Sequence, residues 1–318
     1  MIQGMHYLKG AVDCHVHTCP HLNGRSVTVF ESVRQAAAAG MSAIGLMDNF
    51  QNSSGYAALA MTELGHLGVE VFGGLIMQPT AGGITYEAAR TAVDYGYGPG
   101  TGARFLSLPT HHTYAVAVLE GRSPAFLETT FRVPSSGTIP DPVPAIMDLC
   151  AERDIVFDCG HVDGQEAVAL ADEARRRGLG RLRAHCGGYD PDAIAEIAAL
   201  GGYCEFSFFA LTHATQVALT HADPEKHRLA PVTIQDLAPR IRAAGDKAIV
   251  SGDAGISLLA PPAETFRQFL LLLEAEGFDD AALRLMSSAN PKRLFRIGDI
   301  SGKGSVAANH SDRVSGFC

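Results

Sequence analysis

Short apolar runs alternate with longer amphipathic stretches along most of the chain. The short runs read as strands: AVDCHVH (11–17), SAIGLMD (42–48), VEVFGGLIM (69–77), RFLSLPT (104–110), DIVFDCGH (154–161), RLRAHC (181–186), GYCEFSF (202–208) and KAIVSGDA (247–254). Between them, stretches such as TVFESVRQAAAAG, TYEAARTAVDYG and GQEAVALADEARRRG repeat alanine and leucine at three- and four-residue spacing. Many of these close on glycine, the usual helix stop. Eight strand–helix units of roughly 30 residues each predict a (β/α)8 TIM-type barrel. An open doubly wound sheet is the rival, but no GxGxxG turn follows the first strand. The expected organisation is one barrel domain over residues 1–300, then a polar, glycine-rich tail over 301–318.

Two connections are too long for plain turns. Residues 111–143 are rich in Pro, Gly, Ser and Thr, and residues 209–232 carry His213, His221 and His227. Both follow strands, so both belong on the C-terminal face of a barrel, where long loops serve as lids over active sites.

Composition narrows the classes of partner. With 47% hydrophobic and 19% charged residues, the 318-residue chain has ample material for a packed core. A net charge of −9 argues against a nucleic-acid or anionic-membrane partner. The longest greasy run, FLLLL at 269–273, is far too short to span a bilayer. The seven cysteines are odd in number and form no CxxC pair, which predicts free thiols in a reducing compartment. No basic segment followed by a long apolar one opens the chain, so a cytoplasmic location is expected. The expected partners are a small-molecule substrate and further copies of the chain, as a homodimer or higher homo-oligomer.

The chemistry gathers at strand ends. His15 and His17 are two residues apart and so share a face of the first strand. The fifth run ends in His161, the sixth carries His185 and the eighth Asp253. In a barrel these four imidazoles and one carboxylate converge on the C-terminal mouth. Nitrogen and carboxylate ligands suit a borderline divalent ion, Zn2+ first, with Mn2+ or Fe2+ as alternatives. Asp48, His111, His112, Arg183 and Glu205 are candidate substrate contacts. Each has a structural alternative: a turn carboxylate for Asp48, surface loop positions for the two histidines, and buried pairing inside the barrel for Arg183 and Glu205. Asp13 reads as support beneath the histidine pair. Cys14, Cys159, Cys186 and Cys204 should face the helix layer as core filler, because each adjoins an inward residue.

These pieces resemble the metal-dependent amidohydrolase superfamily, in particular an uncharacterised amidohydrolase-like branch of it. VDCHVH on strand one, CGH on strand five, RAHC on strand six and SGDAG on strand eight match in order and spacing. SSANPKRLFRI at 287–297 is similar to the superfamily's closing segment, so the resemblance runs from about residue 11 to 298. It implies that His15 and His17 are metal ligands and that His161 is a third ligand in a mononuclear site. Asp253 would bind the metal or its water and accept a proton. His185 would be a second-metal ligand or a polarising, acid–base residue. Binuclear members carry a lysine or glutamate at the end of strand four. Here that strand ends LSLPTHH, which favours one metal.

The activity so implied is hydrolysis of an amide, cyclic amide, lactone or related bond. A metal-dependent decarboxylase using the same site is the alternative. A phosphoesterase that also opens with HxH fits less well, because Asp253 is followed by AGI and no late Asp-x-His is present. A non-catalytic ligand-binding barrel is disfavoured by the intact set of five ligand positions.

Overall fold

A computed structural model describes residues 2–98, 100–134, 137–214 and 230–298. The 301–318 tail, His221 and His227 lie outside the described residues.

All eight expected strands are present: β1 Val12–Val16, β2 Ala43–Leu46, β3 Glu70–Ile76, β4 Phe105–Ser107, β5 Val156–Asp158, β6 Leu182–His185, β7 Tyr203–Ser207 and β8 Ala248–Ser251. They pair in parallel in the order of the sequence. A parallel bridge from Val16 to Ala254 brings the last strand back to the first, so the sheet curls into a (β/α)8 barrel. The ladders are shorter than the apolar runs suggest. His17, His161 and Asp253 therefore stand just past the strands, on the first residues of the loops.

Two apolar layers follow from the strand alternation. Ile44, Leu46, Phe157, Ala184, Cys204, Phe206 and Val250 face the helices. Val12, Ala43, Phe72, Phe105, Val156, Tyr203 and Ile249 fill the barrel. The floor is closed by the helix Asn290–Phe295, whose Leu294 and Phe295 join the inner layer. Asn290 is fully buried and donates from Nδ2 to the carbonyls of Asp246 and Ala248, both at 2.8 Å. That gives the NP of the closing segment a structural role: it ties the floor to the start of β8.

Cys159, Cys186 and Cys204 face the helix layer as expected. Cys14 does not; it belongs to the inner layer and receives Arg183 Nη1 at 3.8 Å. The cause is a bulge: the β1–β2 register shifts between Asp13 and Val16, which breaks strict alternation and lets Cys14 and His15 both turn inward. All six described cysteines are free.

The 111–143 connection holds two short helices, Tyr114–Leu119 and Pro124–Leu127, that its turn-rich composition hides. Thr113 caps the first, accepting from Val116 N, and its hydroxyl donates to the His161 carbonyl at 2.6 Å. The connection is thereby pinned to the loop that follows β5. No helix among the described residues is long and apolar enough to cross a membrane.

Candidate metal centre and cavity

Asp13 sets the first pair of histidines in place. Its Oδ1 accepts from the backbone N–H of His15 at 3.2 Å and of Gly252 at 3.0 Å, so one carboxylate fixes the β1 bulge and ties it to β8. Burial pushes this carboxyl up to about 7. Across the bulge, SGDAG is shaped by steric need. A Cβ on Gly252 would sit 2.6 Å from Asp13 Oδ2. A Cβ on Gly255, at φ +127°, would run into the His17 carbonyl. Asp253 itself adopts φ +47°, a strained setting for a residue with a side chain.

The strain aims Asp253 at the histidines. Its Oδ1 lies 3.2 Å from His15 Nε2 and 3.2 Å from His17 Nε2, and its Oδ2 accepts from Ser207 Oγ at 3.3 Å. His15 Nδ1 meets Glu205 Oε1 at 2.9 Å. If Nδ1 donates there, Nε2 turns a lone pair toward the Asp253 oxygen. Such a contact needs a proton or a cation between the two groups. Without a cation the proton takes this part: burial alone would lower His15, but the charges of Asp253 and Glu205 outweigh it and raise it to about 9. Burial would raise Asp253, but His15 and His17 draw it down to about 2. Burial lowers His17 to about 4.

Beneath this cluster lies a buried ion network. Arg183 has no exposed surface; it donates from Nε to Asp158 Oδ2 at 2.5 Å, and its Nη1 lies 2.9 Å from Glu205 Oε2. Glu205 also accepts from Ser251 Oγ at 2.5 Å. Asp158 faces His185 Nε2 at 3.1 Å, and Glu205 Oε2 lies 3.4 Å from its Nδ1. Although burial opposes it, Arg183 holds both Asp158 and Glu205 well below the usual carboxylate range. Arg183 thus answers Asp158 and Glu205, while Asp253 has the His15 proton against it.

Two groups of possible ligand atoms lie within 4.8 Å of one another: His15, His17 and Asp253, and His15, His185 and Glu205. The imidazoles form a row, with ring centroids 5.2 Å apart for His17–His15, 5.4 Å for His15–His185 and 5.1 Å for His185–His161. His161, at the end of the row, joins neither group. Burial first, and then His185, hold it down at about 3.

A cavity of about 780 Å3 opens above the row. All four histidines, Asp253 and Glu205 line it, and both long connections supply apolar wall through Val116, Leu119, Phe209 and Val232. Three of the expected substrate contacts do not reach it. Arg183 is sealed in its ion pairs. His112 turns away, its Nε2 on the Thr129 carbonyl at 2.9 Å. Asp48 shapes a turn, its Oδ1 accepting from Phe50 N at 2.8 Å and Gln51 N at 3.2 Å. His111 does line the cavity, and Asn49 Nδ2 donates to its Nε2 at 2.7 Å.

The sequence reading missed Asp158, Ser207, Ser251 and Arg25. A signal existed for Asp158: an inward arginine on strand six needs an inward acid on a neighbouring strand, and Asp158 pairs in register with Arg183.

The family model of DUF6282, a family of unknown function, matches residues 10–205. No curated protein matches the chain in sequence. Among solved structures, an amidohydrolase from Pseudomonas aeruginosa is similar at a TM-score of 0.58 and 12% identity, covering 92% of this chain and 97% of that one. An organophosphorus hydrolase from Deinococcus radiodurans gives 0.53 and 18%, covering 84% and 82%. A dihydroorotase gives 0.52 and 14%, covering 91% and 71%. At such identities the likeness establishes the fold.

Proposed function

The chain belongs to DUF6282, a family of unknown function, and we propose that it is a metal-dependent hydrolase of the amidohydrolase type. Its substrate would be a small molecule with an amide, cyclic amide, lactone or related bond. The observation that carries this reading is the meeting of His15 Nε2 and His17 Nε2 on one oxygen of Asp253, each at 3.2 Å.

The residues present fit a divalent ion. His15 is oriented by a carboxylate on its other nitrogen, the usual arrangement of a metal-bound imidazole. Such an ion would take the place of the His15 proton beside Asp253. His15, His17 and Asp253 would hold it, with His185 and His161 next in the row, and the mixed nitrogen and oxygen donors suit Zn2+, with Mn2+ or Fe2+ as alternatives. When bound, the ion supplies Lewis acidity and brings the pKa of a water down toward about 7.

The protein's own groups account for the rest. Asp253 Oδ2 accepts the proton of the attacking water and passes it to the leaving atom. Ser207 keeps that oxygen oriented. His161 is neutral at working pH and donates a hydrogen bond to the substrate carbonyl as charge develops there. Glu205 and Asp158 hold His15 and His185 at fixed angles. The apolar lid walls exclude bulk water.

Elemental analysis of dialysed protein, with a panel of lactones, cyclic amides and amides, tests the reading. The expected result is about one divalent ion per chain and hydrolysis of at least one class. Asp253→Asn should lower kcat by about 10²–10⁴-fold. No metal after growth with added zinc or manganese would overturn the reading. Carbon dioxide release without hydrolysis would move it to decarboxylation.

A further inference from the structure

Arg25 is the only lysine or arginine among the described residues that line the cavity. Its backbone is fixed: Arg25 bridges Ile256, and Ser26 N donates to the Gly255 carbonyl at 2.7 Å. The loop after β1 thus holds the guanidinium on the same backbone segment that carries Asp253.

Arg25 lacks the carboxylate contact that Arg104 and Arg183 have. Arg104 meets Glu70 at 3.1 Å, and Arg183 meets Asp158 and Glu205. The side-chain bond that Arg25 makes is from Nη2 to His21 Nε2 at 2.8 Å, an imidazole and not a carboxylate. Its Nε is buried without a partner. Asp48 and Asp253 act on it only through space, and burial dominates, drawing its pKa down. A guanidinium taken out of water without a contact counter-ion is costly, and an anion delivered by the ligand removes that cost. Nη1 and the second hydrogen of Nη2 remain to receive it, in the planar fork that matches the two oxygens of a carboxylate.

The rest of the cavity agrees with such a ligand. Val116, Leu119 and Phe209 offer apolar wall to an uncharged body. Arg25, His17 and Asp253 line the same cavity, and Arg25 bridges the loop that carries Asp253, which puts the anion-binding end beside the reacting end.

We infer that the substrate carries a carboxylate, held by Arg25, with its apolar body against Val116, Leu119 and Phe209. The word substrate rests on the hydrolase reading; the binding itself does not.

The test is calorimetric titration of the full-length protein, as purified, with 4-phenylbutyrate and with its neutral counterpart 4-phenylbutyramide. The acid should bind about tenfold tighter or better, the worth of one charge-assisted hydrogen bond. Arg25→Gln should abolish the preference, and Arg25→Lys, which keeps the charge, should retain part of it. Equal binding of acid and amide by the unaltered protein would overturn the inference. A preference that survives in Arg25→Gln would do so too, since the carboxylate would then sit on the His15, His17 and Asp253 centre. Equal loss of preference in the lysine and glutamine variants would assign Arg25 to holding its loop, also against the inference. Failure of the hydrolase reading shows separately, as absence of metal in the elemental analysis, and leaves this comparison intact.

Discussion

Glu205 lines the cavity, yet its oxygens are spent on its neighbours. It touches His15, Ser251 and Arg183 and has almost no exposed surface. Glu205→Gln keeps the volume but weakens the acceptor that orients His15. Metal affinity should fall about 10–100-fold, measured by competition with a chelator, while the circular dichroism spectrum stays unchanged. The sequence makes His15, His17, His161, His185 and Asp253 legible because each stands at or near the end of an apolar run. Arg25 is illegible in this way. It lies in an irregular loop, and only folding brings it over the cavity. Arg183 and Glu205 are visible as inward residues, yet their roles depend on which neighbours meet them across the barrel.

At the scale of elements, the strands and helices follow from periodicity and the departures from local geometry. The β1 bulge has no sequence signature of its own, and it is what turns Cys14 inward against the expectation from alternation. The two short helices in 111–143 begin at Thr113 and Ser123, whose side chains cap them, but their apolar stretches are too short for a period to show. The β8 loop is the least forgiving element. Gly255→Ala adds a methyl group where the His17 carbonyl stands, at a φ that L-residues avoid. The loop must shift, and the barrel should lose about 1–3 kcal/mol, read from the urea midpoint. Bound metal should fall with it, because the same shift moves His17 from Asp253.

For the whole molecule, the centre couples stability to pH. In chelator-treated protein His15 is raised from 6.5 to about 9, so its contribution is complete below about 6.5 and is lost as pH rises through 9. His17 is depressed from 6.5 to about 4, so its contribution is complete above about 6.5 and is lost as pH falls through 4. Metal-free protein should therefore be most stable near pH 6.5 and weaken on either side. A bound cation removes the proton from His15, so the metal-loaded protein should hold its melting temperature to pH 9. Parallel thermal scans of the two forms from pH 5 to 9 check this; matching alkaline losses would contradict it.

The barrel floor has a consequence for how the protein is made. Arg183 lies 5.3 Å from the ring of Phe295 and 5.6 Å from that of Phe105, so the guanidinium that steadies Glu205 rests on the last described helix. That helix leaves the ribosome after all eight strands. His15 and His17 are translated before the other seven strands, yet the packing beneath them waits for a helix that follows the eighth. The first strand thus depends on the last described helix for the Phe295 ring that packs under Arg183.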